Sequence, residues 1–272
     1  MKSLSVRLIL YATFVFTIQA FLGSFLHEGG HALVPLVHGE KITLIVHPFT
    51  FAGFSRPIWD YYNVWTHISG PLGGILVPLL IFALIWKRRS PVLLPLLLPF
   101  AFGIIFEGVN MLQPGNGDFF NLARITGLSY APFLGLGVLL LVAGIFFTLS
   151  LFPLLGLAPK DKKCLYIIPA SFLLMGLLGT IVARLVVPNS PVLQAEGLVG
   201  EVMQTASMVP IILTVLGLLL ALLYISLFRM IYPRLPAWLY TPVAVPSGKD
   251  LTIHGVLFAF SVALGLMVLL WQ

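Results

Sequence analysis

His27, Glu28 and His31 stand in the stretch LHEGGHALVPLVHGE, residues 26–40, inside an otherwise apolar run. In a helix, residues four apart lie on one face a turn apart, so His27 and His31 can aim two imidazoles at one point. Two imidazoles at that spacing suit a zinc ion. Glu28, beside the first of them, can take a proton from a water that such an ion polarises. This is the HEXXH arrangement, with the glutamate as general base. The alternative is two helix histidines and an unrelated acid. Three ionisable groups together in an apolar span are costly to bury, which favours a functional site.

A zinc site that does hydrolytic work usually has three protein ligands and one open position. A third ligand must come from elsewhere in the chain at the same depth. His27 lies about 19 residues into its apolar run, or about 28 Å at 1.5 Å per residue, near the far end of a span. The groups on that side are His38, His47, Asp60, His67 and Asp118. Asp118 stands out because it follows the third apolar run in NMLQPGNGDFFN, where a helix must end in a Pro/Gly-rich turn that can hold a carboxylate still. Glu107 precedes Asn110 by one turn, on the same face, and could orient a ligand.

The elements that position these groups are membrane spans. The chain is 59% hydrophobic and only 9% charged, where a soluble domain has about 25% charged residues. Seven apolar segments are long enough to cross a bilayer, roughly 8–36, 67–86, 91–112, 131–157, 165–187, 208–231 and 252–271. The expected fold class is therefore an all-α polytopic membrane protein. The first run is too long for a signal peptide and lacks a small-residue cleavage site, so it reads as a retained span. Lone Cys164 rules out an intrachain disulfide. The net charge of +6 does not suggest nucleic acid, since the basic residues sit in short clusters between apolar runs. Those clusters are Lys2/Arg7, Lys87/Arg88/Arg89, Lys160/Lys162/Lys163 and Arg229/Arg234/Lys249, eleven residues at alternate span ends. The opposite loops hold Lys41, Arg56 and Arg124. The positive-inside rule then puts the N-terminus in the cytoplasm and the C-terminus outside.

Between the first two spans, residues 38–66 hold KITLIV and FTFAGF, β-rich and too short to span as helices. They predict a β-hairpin at the membrane edge. Trp59, Tyr61, Tyr62 and Trp65 predict an interfacial aromatic belt. Arg184, near the end of the fifth span, is placed to snorkel. Pro35 cannot donate to the His31 carbonyl, so the first helix should kink or end there, with Gly39 as a stop.

HEGGHA in a first span, SGPLGG (69–74) opening a second and NMLQPGNGD (110–118) ending a third resemble the site-2 protease family of intramembrane zinc metalloproteases. The resemblance covers about residues 8–125. It implies a three-span catalytic core, 1–125; the span count leaves four further spans of no readable role in 126–272. It implies one zinc per chain on His27, His31 and Asp118, with Glu28 as base and Asn110 as a positioning group; Glu107, read from its helix face, could join it or pair with a polar group of another span. Asn110 and Asp118 keep the separation of the family's Asn and Asp. The match is incomplete: Gln113 stands for the usual Pro, Pro114 is shifted by one, Phe119 replaces Gly, and Gly73 and Gly74 replace an Asn. Family members usually carry the site nearer the cytosol, whereas the charge count here puts it nearer the outside. The implied partners are the lipid bilayer and a transmembrane protein substrate, whose unwound segment the 42–54 strands could receive. Two other readings fit the same motif. One is a zinc-binding transporter or assembly factor that cleaves nothing, which would not need Glu28. The other is a membrane hydrolase of a small amide or lipid-linked substrate.

Overall fold

A computed structural model describes residues 2–40, 42–46, 53–57, 64–115, 117–195, 197 and 199–271. The elements in order are α1 (Lys2–Val37), β1 (Ile42–Val46), β2 (Gly53–Pro57), α2 (Val64–Ile85), α3 (Leu94–Met111), α4 (Asp118–Thr126), α5 (Ala131–Leu151), α6 (Cys164–Val186), α7 (Pro191–Ala195) and α8 (Val199–Leu223). A π-helical turn, Tyr224–Phe228, continues α8 into α9 (Arg229–Ile231), and α10 (Gly248–Trp271) closes the chain. Seven helices are long and apolar enough to cross a membrane: Leu4–Val37, Val64–Arg88, Pro91–Met111, Ala131–Leu155, Cys164–Asn189, Val202–Arg234 and Gly248–Met267. Each agrees with a segment expected from the sequence to within a few residues. The chain is an all-α, integral, multi-pass membrane protein. Helices dominate because lipid offers the backbone no hydrogen-bond partner, so each span must satisfy its own.

α1 is the central post. It packs against α2, α3, α6 and α10 and against both strands. Its first half is sealed, with Tyr11, Ala12, Val15 and Phe16 wholly buried. Phe16 stacks on Phe172 of α6 at 4.5 Å and meets Phe102 of α3 edge-on at 6.2 Å. At 36 residues, α1 is about 54 Å long, well beyond the ~30 Å hydrocarbon layer. The helix is thus longer than one crossing needs, and His27 and His31 lie in its last third.

α1 and α2 touch backbone to backbone. A Cβ on Gly30 would collide with the Ser69 carbonyl, and one on Gly73 would press on the Leu26 carbonyl. Small residues allow this approach, as they do between membrane helices generally. It brings the start of α2 against the histidines.

The four basic clusters meet at one end of the bundle. There Trp86 Nε1 donates to the Trp238 carbonyl at 2.6 Å, and Arg89 donates to the Tyr240 carbonyl. Tyr11 donates to the Pro91 carbonyl and Tyr224 to the Leu157 carbonyl, each at 2.7 Å. The histidines lie toward the other end.

Two expectations need revision. α1 does not end at Pro35 but runs on to Val37. Pro35 removes a single bond, the one to the His31 carbonyl, and membrane helices tolerate such a loss where neighbouring elements pack against them. The stop is at Gly39, whose φ of +77° suits glycine. The strands pair antiparallel as expected, with Ile42 opposite Pro57 and Val46 opposite Gly53. The second strand, however, starts at Gly53, later than the FTFAGF stretch; residues 49–52 lie outside the described residues. So do Trp59, Tyr61 and Tyr62 of the expected aromatic belt. Trp65 is 68% exposed, as an interfacial ring should be. Arg184 is exposed in the last turn of α6.

Candidate metal centre

His27 and His31 project from successive turns of α1, and their rings meet edge-on at 4.7 Å. The third group comes from α4. After α3 ends at Met111, a turn with Gly115 (φ +101°) and Gly117 (φ +88°) reverses the chain, and Asp118 opens α4. Gly117 is required for a second reason: a Cβ there would run into Asn110 Oδ1. Asn110 thus braces the turn, and its amide nitrogen also donates to Asp118 Oδ2 at 3.3 Å and Glu107 Oε2 at 3.4 Å.

Three atoms converge. His27 Nε2 and His31 Nε2 are 3.1 Å apart, and Asp118 Oδ2 is 3.4 Å from each. These three residues can hold a metal ion. The far sides of both rings are fixed. His31 Nδ1 is 2.6 Å from the Thr66 carbonyl, and His27 Nδ1 is 2.8 Å from Glu107 Oε1. A carbonyl only accepts, so His31 Nδ1 must donate. The same holds at His27 when Glu107 is ionised. With both Nδ1 hydrogens directed outward, two bare Nε2 lone pairs and a carboxylate oxygen face one another at about 3 Å. Such a triangle of acceptors repels itself unless a metal ion sits among them or the rings take up protons on Nε2. Metal-ligating histidines are held in this way, by a carboxylate or carbonyl on the other ring nitrogen.

Asp118 is constrained on both oxygens, since Oδ1 is 3.4 Å from His67 Nδ1. Burial alone would push this carboxyl up, but the imidazoles of His27, His31 and His67 around it, the first two when they carry a proton on Nε2, hold it well below the usual carboxylate range. It stands as an anion, the form a metal ligand needs.

Glu28 is buried beside the triangle, at 8% exposure. It lines a cavity with His27 and Glu107. The structure therefore brings His27, His31, Asp118, Asn110 and Glu107 into one network, with Glu28 adjacent. His38 is not part of it; its Nδ1 donates to the Val34 carbonyl of its own helix at 2.8 Å. His47 and Asp60 lie outside the described residues. His67 was legible only as a rival ligand, and it faces Asp118 instead. The Thr66 carbonyl could not be found from side-chain types at all. Gly70 completes the wall: a Cβ there would strike the His31 ring.

Glu107 is 1% exposed and supports His27 without reaching the triangle. Glu107→Ala should weaken metal binding about 10- to 100-fold, the range for groups that orient a ligand. Competition against a chromophoric chelator would read this. Unchanged affinity would mean that His27 is oriented by something else.

No family model, no curated protein and no solved structure matches the chain.

Proposed function

We propose that the chain is an intramembrane zinc metalloprotease, of the site-2 protease kind, that hydrolyses peptide bonds in or near transmembrane segments of membrane proteins. The observation that carries this reading is the size of the acceptor triangle. Tetrahedral zinc with bonds of about 2.0–2.1 Å has ligand–ligand edges of about 3.3–3.4 Å. The edges here are 3.1, 3.4 and 3.4 Å. Two imidazoles and a carboxylate are also the ligand chemistry of zinc hydrolases.

Bound there, zinc would supply Lewis acidity, polarising a water and the carbonyl of the bond to be cut. Glu28 would accept the water's proton and later deliver one to the departing amine. Glu107 and the Thr66 carbonyl would hold the two rings in the required tautomer. A peptide bond inside a helix is shielded by its own hydrogen bonds, so the substrate must unwind first. The hairpin of β1 and β2 is two-stranded among the described residues, so it offers outer edges to which an extended segment could add. By the positive-inside rule the basic end of the bundle would face the cytoplasm, leaving the site toward the outside.

The test is metal analysis and cleavage of a synthetic transmembrane peptide by the purified protein. One zinc per chain is expected, with cleavage lost on chelation and restored by zinc. Cleavage that persists in the metal-free protein would sink the reading.

A further inference from the structure

Gln19 is wholly buried in α1, and neither its amide nitrogen nor its amide oxygen meets a hydrogen-bond partner among the described residues. A primary amide placed so is expensive, and native structures rarely leave one unmatched. Gln19 is not embedded in side-chain packing. It lines a cavity of about 20 Å³ together with Gly23, Ser24, His27 and Glu28 of α1, Gly74 of α2 and Phe102, Gly103, Phe106 and Glu107 of α3. Gln19, Gly23 and His27 are spaced four apart, on one face of the helix. Gly23 leaves a gap between them, since a Cβ there would meet nothing within 4 Å. A slot thus runs along α1 from Gln19 to the metal centre, about 12 Å along the helix axis.

We propose that this slot is an internal hydration site, holding one or two ordered waters between the Gln19 amide and the Glu28 and Glu107 carboxylates. Size excludes a peptide or side chain, while about 10–15 Å³ suffices for a water. The lining also suits water. A buried water needs two to four polar partners, and an amide with both donor and acceptor, together with two carboxylates, supplies them. Apolar cavities stay dry, but this one, though mostly apolar along its walls, has the amide and both carboxylate residues among its lining.

The consequence for turnover rests on the protease reading; the hydration itself does not. Water beside Glu28 gives a proton accepted by Glu28 a second place to be shared. Gln19 is then a positioning residue for that water.

Radiolytic hydroxyl labelling with mass spectrometry, in lipid nanodiscs, tests the site without requiring metal or activity. Bound water generates radicals where it sits, so Phe102, 5% exposed, should be modified at least about 5-fold more than Phe21 and Phe100, which are 4% and 8% exposed but do not line the slot. Gln19→Leu removes the amide, and Gly23→Val fills the gap. Both should bring Phe102 down to the level of Phe21 and Phe100. Protection of Phe102 in the wild type, or labelling that survives either substitution, overturns the proposal. Global loosening of a variant would raise all three rings together, and the wild-type contrast then decides alone. A hydrated slot in a protein that cuts no peptide would leave this inference standing while the proposed function fails.

Discussion

Glu28→Gln should leave zinc at one per chain and lower peptide cleavage by at least about 100-fold, the lower range for general acid–base catalysis. That factor is about 2.7 kcal/mol of transition-state stabilisation. Glutamine keeps the shape and the hydrogen-bonding reach of glutamate but cannot accept a proton at neutral pH. The triangle of His27, His31 and Asp118 is complete without Glu28, so metal binding and proton transfer are separable at this position. The separation distinguishes the three readings of the motif. A zinc transporter or assembly factor would lose nothing with Glu28. A hydrolase of a small amide or lipid-linked substrate would need Glu28 yet cut no transmembrane peptide. Normal peptide cleavage by the variant would remove Glu28 from the base role.

What could be read from the sequence was local or additive. The i, i+4 histidines and the adjacent acid lie within five residues, so helical geometry alone sets their faces. The spans follow from length and apolar content, because a bilayer demands both. Asp118 could be reached by counting depth through two spans, and Glu107 and Asn110 share a face of one helix. The parts that were not legible depend on how helices meet. His27 and Glu107 are 80 residues apart, and only the close packing allowed by glycines puts them at 2.8 Å. The second anchor of the metal centre, the Thr66 carbonyl, is a backbone atom that no residue type announces. His67 had the right depth and the right chemistry, but depth cannot say whether an imidazole faces the ion or the carboxylate behind it. Gln19 looked like one polar residue in a long apolar run. Its importance rests on the gap beside it, which Gly23 and the wall of α3 create together.

If the triangle holds zinc, its third ligand carries a graded prediction. Asp118→Ala should lower zinc affinity by more than the roughly 10- to 100-fold that a supporting residue costs, and cleavage should be lost with the metal. Asp118→Asn should fail nearly as badly. Asparagine fills the same space and could still meet Asn110 and His67, but a neutral amide oxygen is a far poorer zinc ligand than a carboxylate. The substitution thus isolates the charge from the packing. His67→Ala should fall between this and the wild type, because His67 Nδ1 is 3.4 Å from the oxygen of Asp118 that points away from the triangle. His38→Ala should bind zinc as the wild type does, since its imidazole pairs with its own helix at the Val34 carbonyl. The order Asp118, then His67, then His38 is what the geometry demands. Zinc affinity by chelator competition and the visible spectrum of the cobalt-substituted protein would measure it. Cobalt in a tetrahedral site of two nitrogens and one carboxylate should lose its strong d–d bands in Asp118→Asn and keep them in His38→Ala. If His67→Ala instead released the metal while Asp118→Asn retained it, the third ligand would be the imidazole, and Asp118 would be the group that orients it.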